Sequence, residues 1–340
     1  MAYLSGGSPF YTTRLFGLSL RSNQPIPGMP ALPLEGDADV EVAFIQTAQS
    51  CPQPETASQI YASPGMADNG EPYFKVWSDA QHPLVYLGIQ YTDGQGFVWF
   101  LIDQAGSQVQ VLRTPAISFD DMLTYFLGPV IGCILRLRGI TSLHAGVAAV
   151  GEKAIAIIGP KGMGKSTLIA AMAQGGMPVL SDDIAPLLEV NGRVTVAPGY
   201  PRLRLWPETI AALSGVSVEG LPKILSHTEK RFMSLSAGRD AGCWRFQPRP
   251  LPLAAIYALA GRGSDDRLSF RSPSKAESLF ILLRNTYPEY PLRPTDHAHN
   301  FSTLLRLAEG VPLREVILPH GLEVLGQTRD AILDDFERLL

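Results

Sequence analysis

The sequence predicts an α/β protein with a β-rich N-terminal domain and a helical C-terminal region. Three observations support this fold class. Short runs of aromatic and branched residues, separated by Gly, Asp and Pro, fill the chain up to about residue 118. Further along, a strand, a helix and another strand follow in the order that is typical of a parallel βαβ unit. Helical patterns predominate in about the last 70 residues.

The composition is that of a folded protein. The chain is 46% hydrophobic and 18% charged, which suffices for a buried core. Its length of 340 residues favours two domains over one. The net charge of -4 gives no reason to expect nucleic-acid binding. Cys51, Cys133 and Cys243 form no CxxC pair, so neither a disulfide framework nor a zinc site is indicated. Since no secretion signal or long apolar run is evident, we expect a cytoplasmic protein that binds neither nucleic acid nor membranes.

The β-rich N-terminal domain is predicted to span 1–118, with the strand patterns "YFKVWSD", "LVYLGIQY" and "GFVWFLID". Its titratable residues form no catalytic pattern, which favours a role in packing or partner binding. A connecting helix is predicted over 119–139. Ser118 can cap this helix, two aspartates in its first turn suit the helix dipole, and Gly128-Pro129 should kink it.

The third part, 140–340, opens with the apolar runs "TSLHAGVAAV" and "KAIAIIG" on either side of Gly151-Glu152, which predicts a tight hairpin. A helix pattern, "KSTLIAAMAQ", and a strand pattern, "PVLSDD", complete the βαβ unit. Beyond this unit, strands are predicted from "RVTVAPG", "LAAIYALA" and "REVILP". Helices are predicted from "SKAESLFILLRNTY", "NFSTLLRLAEG" and "GQTRDAILDDFERLL".

A glycine-rich loop, "GPKGMGKS" at 159–166, matches the phosphate-binding pattern G-x-x-x-x-G-K-[ST]. Its glycines let the backbone present N–H groups to phosphate oxygens, and the following helix adds the positive end of its dipole. We expect Lys165 to reach the β- and γ-phosphates and Ser166 to hold magnesium. The predicted nucleotide-binding residues are Gly159, Lys161, Gly162, Met163, Gly164, Lys165, Ser166 and Thr167.

Two adjacent carboxylates, Asp182 and Asp183, follow the loop at the end of the next predicted strand. In a βαβ unit this strand end arrives beside the phosphates. Neighbouring side chains on a strand point to opposite faces, so the two acids can do two jobs. One is expected to meet magnesium, directly or through water, and the other to face the phosphoryl acceptor as general base. A solvated acidic pair is the alternative.

His144 is placed by the predicted hairpin. If Gly151-Glu152 is a two-residue turn, Val150 pairs with Lys153, and in the same register His144 lies opposite Gly159. The imidazole would then tune a nearby carboxylate or contact the transferring group. A structural histidine beside an apolar strand is the alternative.

These motifs, in "SLHAGVAAVGEKAIAIIGPKGMGKSTLIAAMAQGGMPVLSDD", resemble the kinase domain of bacterial HPr kinase/phosphorylase. That family has a strand with a His-Gly pair, a phosphate loop and a strand-end Asp pair in this order, and its core is related to phosphoenolpyruvate carboxykinases. Here the histidine is followed by Ala, and the loop is not of the acidic "DSGxGKS" type. The whole chain looks most similar to the HPr-kinase-like proteins of lasso-peptide gene clusters, as "FGLSLRSNQPIPGMP", "PGYPRLRLWPE" and "EKRF" indicate.

The resemblance implies a P-loop kinase core of the HPr kinase/carboxykinase type, with ATP and Mg²⁺ as cofactors. It implies that the partner is a precursor peptide, phosphorylated at a serine that is typically C-terminal. It makes Asp182 the general base and Asp183 the magnesium neighbour beside Ser166, and the exchanged assignment stays open. HPr-type kinases form hexamers, but this sequence carries no interface signal, so a homo-oligomer is left open.

Phosphoryl transfer also needs positive charge on its transition state. Arg202 and Arg204 alternate with Leu in "PRLRLW" and should share one face of a strand, either at the site or in solvent. The stretch "HTEKRF" is predicted to be a mobile loop that folds over ATP, with Lys230 as a candidate and Arg231 as the preferred catalytic residue. A peptide-binding rim is a weaker prediction from Arg293, His297 and His299.

Together these residues predict an ATP-dependent phosphotransferase, and the resemblance implies that its acceptor is a serine of a peptide or protein. Two other classes stay open. One is a nucleotide-binding switch module without transfer, and the other is an enzyme that acts on another protein or a small molecule. The adjacent acids argue against the switch, because a switch needs a metal ligand but no base.

Overall fold

The computed structural model describes residues 10–33, 36–48, 56–66, 70–79, 84–90, 96–236, 243–263, 267–290 and 296–340. It is a mixed α/β protein with three sheets in these described ranges. The chain forms two compact units. The first contains Met1–Gly139 and Tyr290–Asp296, and the second contains Ile140–Glu289 and His297–Leu340. The segment predicted to connect two domains, 119–139, therefore belongs to the first unit.

An eight-stranded sheet forms most of the first unit. Its strands are β1 (Tyr11–Leu15), β2 (Leu18–Ser22), β3 (Val40–Gln46), β4 (Ser58–Ala62), β5 (Phe74–Ser78), β6 (Leu84–Gln90), β7 (Phe97–Asp103) and β8 (Gln108–Arg113). They lie in the order β1-β2-β3-β8-β7-β6-β5-β4. Neighbouring strands are antiparallel except for β2–β3 and β3–β8. Every second side chain of β7 is buried, as expected for a sheet with one face on the core.

A kinked helical segment packs against this sheet. It consists of α1 (Phe119–Tyr125), a π-helical turn (Phe126–Val130) and α2 (Ile131–Leu137). Ser118 caps α1 by accepting a hydrogen bond from the backbone N–H of Asp121, and Gly128 leaves helical geometry. Both features confirm the sequence prediction. Phe44 of β3 meets Phe126 edge to face at 5.6 Å, which ties the segment to the sheet.

Over its described residues, the second unit contains a ten-stranded sheet, a two-stranded ribbon and five helices. The sheet strands are β9 (Ser142–Leu143), β10 (Ala145–Val150), β11 (Lys153–Ile158), β12 (Val179–Ser181), β13 (Ala185–Val190), β14 (Arg193–Val196), β17 (Leu251–Arg262), β18 (Ser269–Arg271), β19 (Thr286–Tyr287) and β20 (Leu313–Leu318). The ribbon consists of β15 (Arg202–Leu205) and β16 (Arg231–Ser234). The helices are α3 (Lys165–Gln174), α4 (Pro207–Ser214), α5 (Lys275–Arg284), α6 (Asp296–Gly310) and α7 (Leu325–Leu339).

The predicted hairpin and its register are confirmed. β10 and β11 are antiparallel, and their paired residues run from Val150 with Lys153 to Ala145 with Ile158. The turn therefore contains only Gly151-Glu152. The next position along each strand brings the start of the glycine-rich loop opposite the residue before Ala145.

The predicted crossover is also present, with one difference. β12 pairs with β10 in antiparallel orientation, and β10 is antiparallel to β11. Thus β12 runs parallel to β11, as a βαβ unit requires, but β10 lies between them. The C-terminal end of β12 still returns to the loop that follows β11.

Helices cover both faces of this sheet. Neighbouring residues of a strand point in opposite directions, so they pack against helices on different faces. Ile157 of β11 belongs to a buried cluster with Ile169 of α3 and residues of α7. Ile158, the next residue, belongs to another cluster with Leu282 of α5 and Leu304 of α6. This burial on both faces explains why the sequence of β10 and β11 is almost continuously apolar.

The central strands set the position of the functional edge. β11, β17 and β20 are mutually parallel, so their C-terminal ends lie at one edge of the sheet. The glycine-rich loop begins there. No helix in the described part of the chain is long and apolar enough to cross a membrane.

The packing of α3 on β10 yields a test of the fold. A Cβ added at Gly146 would overlap the Ile169 side chain, whereas one at Gly220 would meet nothing within 4 Å. We expect Gly146→Ala to lower the free energy of unfolding by roughly 1–3 kcal/mol, because the Ile169 side chain, or α3 with it, must shift. Gly220→Ala is the matched control and should unfold like the unmodified protein in urea. Equal stability of the two variants would contradict this packing.

Candidate functional site

The glycine-rich loop adopts a conformation that needs its glycines. Gly159 has φ 146°, and a Cβ there would lie 2.9 Å from the carbonyl oxygen of Leu259 in β17. Gly164, directly before α3, has φ 102°. Residues with a side chain rarely adopt these backbone angles, so glycine is required where the loop leaves β11 and where it enters the helix.

Lys165 is buried and lies inside the loop. Its ammonium group donates to the carbonyl oxygens of Gly159 at 2.7 Å and Pro160 at 3.2 Å. Burial lowers the pKa of Lys165, and the charges of Asp183 and Asp182 act to raise it. The ammonium group therefore lies among the loop atoms that the motif places around phosphate oxygens.

The other predicted nucleotide-binding residues lie in the same loop and the first turn of α3. Lys161 and Gly162 are exposed at the tip. The backbone N–H of Met163 donates to Pro160 at 3.3 Å, and its side chain packs on the core. Thr167 in α3 has its hydroxyl oxygen 3.4 Å from that of Thr209, which joins α3 to α4.

Asp182 connects the loop to the end of β12. The Ser166 hydroxyl donates to Asp182 Oδ1 at 2.8 Å, and the backbone N–H of Arg204 donates to Asp182 Oδ2 at 2.9 Å. Burial raises the pKa of Asp182, the adjacent Asp183 charge raises it further, and these two hydrogen bonds oppose the shift. The surroundings of Asp182 thus compensate its negative charge only in part.

Asp183 lies between two basic side chains. His144 Nε2 is 3.1 Å from Asp183 Oδ1, and Arg204 Nη1 donates to Asp183 Oδ2 at 2.7 Å. Burial acts to raise the pKa of Asp183, but the Arg204 guanidinium, the His144 hydrogen bond and the Lys165 charge hold it well below its usual range. The side chain remains 30% exposed, so a ligand can reach it.

The prediction that the two acids point to opposite faces of a strand is wrong. β12 ends at Ser181, so both acids lie beyond the strand, and Asp183 has φ 84°. A positive φ is uncommon outside glycine, although aspartate tolerates it better than most residues. The chain therefore turns between the acids, and both carboxylates accept hydrogen bonds from Arg204.

His144 lies where the hairpin register predicts. It stands between β9 and β10, one residue beyond the Ala145–Ile158 pair, and its ring meets the Tyr287 ring edge-on at 5.8 Å. The structure thus brings the imidazole to the candidate site and pairs it with one of the two acids.

Asn285, which the sequence analysis missed, holds the histidine and the loop together. Its side-chain oxygen accepts from the backbone N–H of Gly159 at 2.9 Å, and its own carbonyl accepts from the N–H of His144 at 2.7 Å. Its amide nitrogen donates to Ile281 at 2.8 Å, which anchors it to α5. Asn at the end of a predicted helix was the available signal, but it indicates a helix end and no distant partner.

The ribbon places its basic residues on two different faces. Leu205 pairs with Arg231, and Arg204 pairs with Phe232. Directly paired residues share a face, so Arg231 lies on the side of buried Leu205 and not on the side of Arg204. Arg231 begins β16 rather than belonging to a mobile loop, and its guanidinium is 3.4 Å from Glu229. The structure therefore does not bring Arg231 to the two acids.

Lys230 is the other basic candidate that the sequence offers in "HTEKRF". Its ammonium nitrogen lies 5.2 Å from the ring centre of Trp206, the residue that follows β15. Burial is the main cause that lowers the pKa of Lys165, and the charge of Lys230 contributes to the same shift. Lys230 thus adds positive charge close to the glycine-rich loop.

Arg262 is a second residue that the sequence analysis missed. It ends β17, and its Nη2 lies 3.8 Å from the position that a Cβ on Gly164 would take. Of the predicted peptide-binding rim, Arg293 lies outside the described residues. His297 and His299 are exposed on α6.

The donor set suits a magnesium ion that is shared with phosphate. In the described ranges, no three His, Cys, Asp or Glu side chains form a cluster that could hold a metal by themselves. Magnesium usually binds one or two carboxylates and completes its coordination with phosphate and water. The Ser166 hydroxyl and the Asp182 carboxylate are oxygen donors in contact, and the raised pKa of Asp182 marks a charge that a cation would stabilise. These two residues fit such an ion.

Comparison with known proteins adds a distant likeness. No family model matches the sequence, and no curated protein matches it. Among solved structures, the HPr(Ser) kinase/phosphatase from Coxiella burnetii is similar at a TM-score of 0.30 with 11% sequence identity. The match covers 57% of this chain and 97% of that chain.

The Asn285 contacts yield a test of the site. In Asn285→Ala the buried N–H of Gly159 loses its acceptor, which costs roughly 1–3 kcal/mol. We therefore expect reduced stability in urea and weaker Mg-ATP binding by calorimetry. Arg284→Ala, at the exposed neighbouring position, is the matched control and should leave both quantities unchanged. Wild-type values for Asn285→Ala would show that Asn285 does not support the loop.

Proposed function

We propose that this chain is an ATP-dependent kinase that transfers the γ-phosphoryl group to a serine hydroxyl of a peptide. One observation carries the proposal. Two adjacent carboxylates leave β12 at the same point, and one contacts Ser166 of the phosphate loop while the other lies between His144 and Arg204. A phosphate cradle, a metal-side acid and a partly exposed second acid are the parts that phosphoryl transfer requires.

The nucleotide side of the proposed reaction uses the loop and the start of α3. Backbone N–H groups and the helix N-terminus receive the phosphates, and Lys165 neutralises their charge. Ser166 and Asp182 would hold magnesium. When bound, this ion neutralises charge that develops on the phosphate oxygens.

The acceptor side uses Asp183, which exchanges the two assignments taken from the family resemblance. The reason is the contact of Asp182 with Ser166, because the loop hydroxyl and its partner acid are metal-side residues in phosphate-loop enzymes. The acceptor hydroxyl would donate its proton to Asp183 while its oxygen attacks the γ-phosphorus and ADP leaves. The low pKa of Asp183 keeps its carboxylate ionised, so it can accept a hydrogen bond from the hydroxyl and orient it. Proton transfer would then come late, after bond formation to phosphorus has made the hydroxyl proton strongly acidic.

Positive charge for the transition state comes from two residues on one side of the ribbon. Arg204 contacts both acids, and Lys230 lies towards the loop. We assign Lys230, in place of Arg231, to the transferring phosphoryl group, because Arg231 lies on the other face. Such preorganised charges stabilise the transition state without rearrangement.

The proposal keeps the finer expectations of the resemblance. They are an HPr kinase/carboxykinase-type core, a cytoplasmic location and, as acceptor, the C-terminal serine of a lasso precursor peptide. The acceptor is tested by mass spectrometry of a precursor peptide that is encoded beside this protein's gene, after incubation with the protein and Mg-ATP. A phosphate-sized mass gain that a terminal Ser-to-Ala peptide lacks would support it. Mg-ATP binding without any transfer would favour a nucleotide switch.

The two acids can be separated by substitution. We expect Asp183→Asn to lower kcat by roughly 10²–10⁴-fold with Mg-ATP affinity retained, because the proton acceptor is lost. We expect Asp182→Asn to weaken nucleotide binding chiefly when magnesium is present. Calorimetry with ATP in magnesium and in EDTA, together with steady-state ADP release, measures both effects. The reverse pattern would restore Asp182 as the base.

Lys230, directly before β16, and Arg231, its first residue, form a matched pair. Lys230→Ala should lower kcat by about 100-fold, because a charge aimed at the phosphoryl group is lost. Arg231→Ala should leave kcat within a few-fold of the wild type, since its side chain faces away from the acids. Steady-state kinetics with saturating Mg-ATP measures both variants. A larger loss in Arg231→Ala than in Lys230→Ala would reverse our assignment.

A further inference from the structure

Arg202 is held in place by aromatic rings. Its guanidinium carbon lies 5.3 Å from the ring centre of Tyr200 and 5.3 Å from that of Phe232. Both rings are buried. The two rings contact each other edge to face at 6.4 Å, and a guanidinium over both of them is attracted to each, so the side chain loses much of its freedom. Arg202 is thus a positive charge in a defined position.

The donors of this guanidinium are unused. Within the described ranges, the Arg202 side chain makes no hydrogen bond or ion pair to another residue, and it is only partly exposed. Arg204, two positions along the same strand, donates a hydrogen bond from its guanidinium to Asp183. An arginine carries five N–H donors in a planar fork that matches a carboxylate or a phosphate. A fixed fork without a partner is therefore suited to an anion that arrives with a ligand.

The position of Arg202 indicates which ligand would carry this anion. Arg202 and Arg204 share one face of β15, since the leucines beside them are buried, and are separated by roughly 6.7 Å along the strand. Lys230 and Trp206 lie on the other side of Arg204, towards the glycine-rich loop. Positive residues thus run from the loop, past the proposed base, to Arg202. This end of the row is the one away from the nucleotide phosphates.

We propose that Arg202 binds a carboxylate of the acceptor and thereby selects acceptors whose carboxylate lies close to the hydroxyl. The inference rests on the proposed kinase function. Arg204, which holds Asp183, lies about 6.7 Å from Arg202 along the strand, and one residue of extended chain covers about 3.3–3.6 Å. A hydroxyl at Asp183 and a carboxylate at Arg202 therefore lie within about two residues of each other. Two sources fit this spacing. They are the α-carboxylate of a terminal serine and an acidic side chain next to an internal serine.

Three synthetic peptide pools test the proposal. All are acetylated and degenerate at four positions. One ends in serine as the free acid, one ends in serine as the amide, and one ends in serine followed by an amidated aspartate. Apparent kcat/KM is measured by mass spectrometry for the wild-type protein, for Arg202→Gln, and for Arg193→Gln as the matched control. Arg193 is exposed on β14, away from the site.

We expect the wild type to prefer the free-acid pool to the amide pool by about 10–100-fold, because charge-assisted hydrogen bonds are lost in the amide. Arg202→Gln should remove this preference by lowering the free-acid value, with the amide value and the KM for ATP unchanged. Arg193→Gln should behave as the wild type. Activity on the aspartate pool that depends on Arg202 would make an acidic side chain the source, and inactivity there would make it the α-carboxylate.

The outcomes separate this inference from the kinase proposal. Equal losses on the acid and amide pools in Arg202→Gln would overturn carboxylate recognition, since a general structural role predicts that result. If no pool is phosphorylated although Mg-ATP binds, the kinase proposal fails for these acceptors. Equilibrium dialysis of the acid and amide pools, with a non-hydrolysable ATP analogue, then decides the role of Arg202. A preference for the acid that Arg202→Gln abolishes would support the inference, and equal binding would overturn it.

Discussion

The contacts of Arg204 with two adjacent carboxylates hold this site together. Its backbone N–H bonds Asp182, and its guanidinium bonds Asp183. Two neighbouring acids in a partly buried place repel each other and lose hydration, so they stay ionised only where donors and cations surround them. The ribbon, the histidine strand and the phosphate loop each supply part of that compensation. Removing the Arg204 side chain would take the guanidinium from Asp183 and leave the backbone N–H on Asp182, so the charge of the pair is tied to the position of the ribbon.

The same compensation makes the two acids unequal. The pKa of Asp182 is raised by burial and by its neighbour, whereas the pKa of Asp183 is held low by Arg204 and His144 despite burial. Paired titratable groups with opposite shifts usually have different roles. The acid with the less compensated charge touches the loop serine, where a cation would complete its surroundings. In the proposed reaction, the well-compensated acid is already ionised when the acceptor hydroxyl arrives, and it can orient that hydroxyl before the proton moves.

Local sequence predicted much of this arrangement. A two-residue turn determines the hairpin register, and one crossover brings the Asp pair back to the loop, so His144, Lys165 and both acids could be placed from spacing alone. The roles of those residues stay predictions. The contacts of Asn285 and the facing of Arg231 could not be foreseen. They depend on how separate strands and helices align over long distances along the chain, and no local pattern encodes that alignment.

The two ends of the site thus differ in how the chain builds them. The phosphate cradle is one continuous loop and helix, so its geometry depends on a few adjacent residues. The opposite end lies on the ribbon, where Arg202 and Arg204 are two steps apart on one strand face. If Arg202 binds the acceptor as proposed, a change at Arg202 alters the contact with the acceptor without moving Arg204, because the backbone hydrogen bonds that place Arg204 involve other atoms. In the proposed kinase, acceptor choice can therefore change on this ribbon while the phosphate loop stays the same.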